Sequence, residues 1–135
     1  MKRLTLQLLL IAALSFSIYW NLTREVFFYA VVNGASMEPT YHNSDGVMVS
    51  KIPLWRGNLH KGDVVIAEFN DLPRGDRLVI KRIGGVSGDR ITNGTSLTIV
   101  PKGEYYLLGD NAAVSYDSRF YGPIKRKQIV GVVLK

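Results

Sequence analysis

An apolar run from Leu4 to Trp20, broken only by the uncharged Thr5, Gln7, Ser15 and Ser17, opens the chain. Beyond it the pattern changes to short apolar or alternating segments, each set off by turn residues. A run of this length lies near the lower end of what crosses a bilayer as a helix, roughly 17–25 residues. Tyr19, Trp20 and Asn21 follow it as candidate interface residues, because amphipathic rings settle at headgroup level. The basic start, Met1-Lys2-Arg3, predicts a cytoplasmic N-terminus and an exported remainder. The same features fit a cleaved secretory signal, with Ser15-Phe16-Ser17 as a small-x-small site, and that reading exports the remainder too. The boundaries expected are a cytoplasmic end at 1–3, an anchor at 4–21 and one folded domain at 22–135.

Strands dominate the expected domain. Val26-Phe27-Phe28-Tyr29 reads as a first strand or as a surface resting on the bilayer. Turn signals at Asp45-Gly46, Lys61-Gly62-Asp63 and Arg74-Gly75-Asp76 precede apolar runs at Val47–Val49, Val64–Ala67 and Leu78–Ile83. Asn93-Gly94, between Arg90–Thr92 and Ser96–Val100, predicts a hairpin whose two turn residues both take positive φ. Tyr105–Leu108 and Ile129–Leu134 complete the set. No helical period of useful length follows the anchor. The fold class is therefore all-β, with long loops at 34–41 and 109–123.

Composition narrows the chemistry. The chain has 135 residues, enough for one compact domain and an appendage. It has no cysteine, which excludes disulfides, a thiolate nucleophile and Cys-based metal sites. Its two histidines, His42 and His60, are too few for a His-rich metal site and read as surface residues. The net charge of +6 suits an anionic membrane or a nucleic acid equally well, so charge does not choose between them.

Candidate chemistry sits in two places. Ser36 lies in Gly34-Ala35-Ser36-Met37-Glu38-Pro39-Thr40, where small residues allow close backbone approach and Pro39 stiffens the exit. Such a shaped loop suits a nucleophile, but a lone serine in a Gly-containing loop is more often just a turn residue. In Leu78–Ile83 the strand period of two puts Lys81 on one face with Val79 and Ile83, and Arg82 on the other with Leu78 and Ile80. One of the two cations must therefore point into apolar surroundings, unless the strand is an edge from which both reach water. A buried lysine is driven towards its neutral amine, which can take a proton from a serine hydroxyl. The spacing is not Ser-x-x-Lys, because Pro39 stands at that position. The loop from Gly109 to Arg119 is dense in short polar side chains, which organise turns or orient a nearby reacting pair.

Together these blocks resemble the type I signal peptidase family. Ser36-Met37-Glu38-Pro39-Thr40 looks like its nucleophile block and Gly62-Asp63-Val64-Val65 like a short strand block. Lys81-Arg82-Ile83-Gly84-Gly85, running on to Gly88-Asp89, looks like the general-base block. Gly109-Asp110-Asn111, Ser115, Asp117-Ser118-Arg119 and Gly122 look like the last. Four blocks in order, after an apolar anchor, span nearly the whole chain.

The resemblance implies a β-barrel-like catalytic domain close to the membrane surface and a Ser-Lys dyad. In it Ser36 attacks the scissile carbonyl, Lys81 accepts its proton and Ser115 holds the amine. Asp117 and Arg119 pair as a structural ion pair, and Asp110 organises its loop. It implies signal peptides of exported preproteins as substrates, bound as an added strand and cut after Ala-x-Ala-type sequences, next to membrane lipid and the export machinery. No cofactor, metal or nucleic acid is implied. Two departures stand out. Where some bacterial relatives carry a serine two residues before the nucleophile, this chain has Gly34, so the oxyanion hole rests on backbone donors, the Ser36 N–H first. Little separates Lys81 from Gly109, so the large β insertion of bigger relatives is missing. A dedicated maturation or conjugation-linked protease with a narrow client fits the same residues. A membrane-tethered basic β module, using Lys125-Arg126-Lys127 to bind nucleic acid or anionic lipid, is the non-enzymatic alternative.

Overall fold

The computed structural model describes residues 2–57, 59–69 and 78–134, so the expected turn at Arg74-Gly75-Asp76 lies outside the described residues. Helix α1 runs over Lys2–Val26 and contains the uncharged, exposed stretch Leu4–Asn21, long and apolar enough to cross a membrane. It continues past the expected end of the anchor and passes directly into the first strand. The Lys51 N–H caps this junction by donating to the Val26 carbonyl at 2.8 Å.

The strands are β1 (Phe27–Val31), β2 (Gly46–Ser50), β3 (Val64–Glu68), β4 (Leu78–Gly85), β5 (Arg90–Asn93), β6 (Ser96–Ile99), β7 (Glu104–Leu108), β8 (Ile124–Lys125) and β9 (Ile129–Val133). Seven form an antiparallel sheet in the order β1-β2-β9-β3-β4-β7-β8, and β5-β6 form a separate hairpin. Val26-Phe27-Phe28-Tyr29 is thus mostly strand. Short helices α2 (Ile52–Arg56) and α3 (Ser118–Tyr121) and a 3₁₀ turn (Arg126–Gln128) join the strands. They were not foreseen because one turn of helix carries no detectable apolar period.

The hairpin turn also differs from expectation. Asn93 pairs with Ser96 as the last rung of the ladder, so Gly94 and Thr95 make the turn. Only Gly94 takes a positive φ, 60°. β-branched Thr95 disfavours a left-handed conformation, and a glycine at the first turn position suits the type II′ family rather than I′.

Two apolar clusters lie on opposite sides of the central strands. Val64 and Ile66 of β3 and Ile80 of β4 pack with Val32, Met37 and Val47. Val65 and Ala67 of β3 and Ile83 of β4 pack with Leu107, Ile124 and Ile129. This double burial explains why β3 reads as a continuous apolar run instead of an alternating one.

Candidate active site

Strand β4 carries Lys81 between the two clusters, 4% exposed. Of the two cations at this point in the strand, Lys81 is the buried one. Its Nζ donates to Ser36 Oγ at 2.8 Å and to the Ile80 carbonyl at 3.1 Å.

The loop after β1 delivers Ser36. Gly34 turns the chain at φ 89°, and its N–H donates to Asn43 Oδ1 at 2.9 Å. Next to Ser36, Met37 is fully buried in the first cluster and anchors the loop. The Tyr41 N–H bonds the Met37 carbonyl at 3.0 Å and closes the turn, which includes a cis Glu38-Pro39 bond. From the far side, the Asn111 N–H donates to the Ser36 carbonyl at 3.0 Å. The Ser36 N–H itself has no acceptor among the described residues.

Arg82, the cation that points the other way, ties three segments together. Its Nε and Nη2 grip both Asp110 oxygens at 2.8 and 2.6 Å, and its Nη1 donates to the Gly62 carbonyl at 2.8 Å. Thr40 Oγ1 donates to Asp110 Oδ2 at 2.6 Å. The loop of Ser36, the strand of Lys81 and the 109–123 loop thereby share one ion pair. The Arg82 hydrogen bonds, against the opposing push of burial and with help from Thr40, hold the Asp110 carboxyl below its ordinary range. Arg82→Lys keeps the charge and loses the two-pronged grip. It is expected to lower kcat by roughly 10–100-fold through misplacement of Ser36. The same variant with wild-type kcat would show that the pair is ornamental.

Asp117 is a second hub, with no exposed surface. It accepts from the Gly109 N–H at 2.9 Å, from Ser115 Oγ at 2.7 Å, and from Arg119 Nε and Nη2 at 2.8 and 2.6 Å. Burial pushes its carboxyl up, but Arg119, the two backbone N–H groups and Ser115 outweigh that push and hold it below the ordinary range. Ser115 is buried here and commits its proton to Asp117.

Gly109 fills a position that only glycine fits. An added Cβ would run into Ser115 Oγ and come within 2.6 Å of the Ser36 carbonyl oxygen. Backbone of the nucleophile loop cannot yield cheaply at that distance. Gly109→Ala is expected to cut kcat/KM by ~100-fold or more while the chain still folds. A variant with near-normal kcat/KM would mean that the loops relax without cost.

The structure thus brings together Ser36 and Lys81, with Ser115, Asp110, Asp117 and Arg119 arrayed in the loop beside them. Arg82, Thr40, Gly109 and Met37 received no role from the sequence, because their roles rest on contacts that only the fold makes, such as Arg82 and Thr40 with Asp110, 28 and 70 residues away. His42 and His60 are exposed, each beside an aspartate three residues on, and neither lines the groove around Ser36. No cluster of metal-ligating side chains occurs among the described residues.

A groove of about 670 Å³ runs past the dyad, between the β1 segment and the start of β4. β1 ends the sheet, and β4 pairs with β7 only from Arg82 onward, so both present free edges to it among the described residues.

A serine on a shaped loop beside an antiparallel sheet, its hydroxyl against the amine of a buried lysine, defines the candidate site. The chain matches the family described as signal peptidase, peptidase S26, over residues 2–99 and 92–134, and it belongs to that family. It is 36% identical over 107 residues to mitochondrial inner membrane protease subunit 1 of Xenopus tropicalis, covering 75% of this chain and 63% of that one. With signal peptidase I V of Bacillus subtilis it shares 30% identity over 145 residues, 80% of this chain and 84% of the relative. With signal peptidase IB of Staphylococcus aureus it shares 29% over 174 aligned positions, 98% of this chain and 89% of the relative. The alignment spans somewhat under two thirds of the mitochondrial relative's length.

Proposed function

We propose that the chain is a membrane-anchored serine endopeptidase that removes N-terminal leader peptides from exported preproteins. The observation that carries this reading is the 2.8 Å contact between Lys81 Nζ and Ser36 Oγ, made by a lysine almost wholly removed from water. Burial favours the neutral amine, the form a general base needs. Ser36 Oγ attacks the carbonyl carbon of the scissile bond as its proton passes to Lys81 Nζ. The negative charge that develops on the carbonyl oxygen has the free Ser36 N–H as its first donor. The Gly34 N–H, already given to Asn43, is spent. When the C–N bond breaks, the Lys81 ammonium returns the proton to the departing amine and leaves an ester on Ser36. A water molecule, deprotonated in turn by Lys81, then attacks the ester and releases the leader. The family resemblance gives Ser115, its own proton held by Asp117, the role of holding the amine through its lone pairs.

An extended peptide laid between the free edges of β1 and β4 would add a strand, with main-chain bonds for affinity and pockets for alternate side chains. On one side the groove is lined by Phe28, Ala30, Val47, Ile66 and Ile80, an apolar surface that would receive the small side chains of an Ala-x-Ala site. In this reading helix α1 crosses the membrane with its basic start on the cytoplasmic side, which would set the domain at the extracytoplasmic face.

The test is cleavage of a synthetic preprotein with an Ala-x-Ala site by the detergent-solubilised chain. Cutting after the second alanine is the expected result. A folded protein that cuts neither this substrate nor a panel of other leader sequences would overturn the general peptidase reading. Cutting confined to one leader of the panel would make it a dedicated maturation protease.

A further inference from the structure

Strand β4 presents two different surroundings to whatever lies along its free edge. Ile80 faces the cluster of Val32, Met37, Val47 and Ile66, whereas Val79 faces the opposite cluster. A peptide extended beside β4 has the same period of two, so its successive side chains turn to the two sides alternately. One side is the small-residue pocket already described. The groove is also lined by Val79, Val114 and Tyr116, and Tyr121, a ring neighbour of Tyr116, packs with Val79 against that opposite cluster. Tyr116 does not stand alone. Its ring stacks on Phe120, with centroids 5.1 Å apart and planes at 18°, and meets Tyr121 at 5.7 Å. Tyr121 rests in turn on Phe69 at 4.9 Å. The Tyr116 ring is thus held in place in advance, yet it is 38% exposed, with Val114 beside it 51% exposed. A fixed, uncovered apolar wall on the side opposite the small pocket is a place for a side chain.

We propose that Tyr116, backed by Phe120 and flanked by Val114, is a specificity subsite for the residue between the two small ones, the second before the cut, and that it favours a bulky apolar or aromatic side chain there. This rests on the peptidase reading above, because only an extended substrate with small residues at the first and third positions puts its second side chain on this wall. Offset-stacked or edge-on rings gain beyond simple burial, and pocket contacts of this size discriminate by about tenfold or more.

Three peptides that differ only at that position, Phe, Leu or Ser, test it with the full chain in detergent. The Phe and Leu peptides are expected to exceed the Ser peptide by about tenfold in kcat/KM. Tyr116→Ser should bring the ratio close to one, Phe120→Ser should lower it part way, and Tyr116→Phe should keep it. The ratio is unmoved by a general loss of active enzyme, so it separates recognition from folding. Equal kcat/KM for all three in the wild type, or an unchanged ratio in Tyr116→Ser, would overturn the subsite and leave the peptidase reading standing. Failure of the wild type to cut any of the three would overturn that reading and the subsite with it.

Discussion

Lys81→Met is expected to abolish cleavage while leaving the fold as stable as before, or more stable. Methionine fills about the same volume without placing an amine in an apolar site, and volume-conserving swaps in a packed interior are the best tolerated. Chemistry has no such substitute. Loss of one member of a nucleophile–base pair typically costs ~10⁴–10⁶-fold in kcat, and Ser36→Ala should fall in the same range. Because the two act as a unit, the double variant should be little worse than either single one. The measurement is kcat/KM on the Ala-x-Ala substrate beside the urea midpoint. Residual activity within tenfold of wild type in Lys81→Met would remove the lysine from the mechanism. Loss of activity together with a collapsed urea midpoint would make its role structural.

Asp117→Ala should strike stability hardest. The carboxylate is wholly buried and satisfies Gly109, Ser115 and Arg119 together. Removing it leaves a guanidinium, a hydroxyl and the backbone N–H groups of Gly109 and Arg119 without their acceptor. Breaking a buried pair from one side costs about 3–5 kcal/mol, a large share of the ~5–15 kcal/mol that holds a domain of this size together. The pH dependence follows from the direction of the Asp117 and Asp110 shifts. Both folded carboxyls lie below their ordinary values. The stability they contribute is therefore fully present above the ordinary carboxylate value near 4, and is lost as pH falls through the lower folded values. The wild-type urea midpoint should be level from about pH 7 to 5 and should drop below about pH 4. In Asp117→Asn the drop should be shallower, with the Asp110 part remaining. A flat wild-type profile down to pH 3, or an Asp117→Ala chain as stable as wild type, would contradict this account.

The two hubs divide the work around the dyad. Arg82 and Asp110 join the loop that carries the nucleophile to the strand that carries the base. Asp117 holds the 109–123 loop closed against Gly109, whose missing side chain lets that loop touch the Ser36 carbonyl. The proposed small-residue pocket and the proposed Tyr116 subsite border β4 on its two faces, through Ile80 and Val79, and β4 serves both clusters at once. A change at Ile80 or Val79 would therefore alter substrate fit and packing together.

Much was legible in the residues alone, because local signals report local structure. The uncharged run Leu4–Trp20 marked the apolar helix, and period-two or short apolar runs between Gly-containing turns marked most of the strands. The four motif blocks, in order, pointed to the family and to Ser36 and Lys81. Periodicity also showed that Lys81 and Arg82 face opposite ways. It could not say which is buried, since that depends on what covers each face of β4. Tertiary structure decided it: Lys81 is buried against Ser36 of the covering loop, and Asp110, 28 residues away, takes Arg82. The hairpin turn slipped by one residue from Asn93-Gly94 to Gly94-Thr95 because the ladder gains a rung at Asn93–Ser96, a pairing decided across strands. The single-turn helices α2 and α3 are too short to leave a period. The need for glycine at 109, the proton of Ser115 held by Asp117, and the aromatic stack behind Tyr116 are contacts between segments distant in sequence or folded back on themselves. Helix and strand patterns belong to neighbouring residues and can be read along the chain, whereas a site assembled from loops exists only once the sheet has brought their ends together.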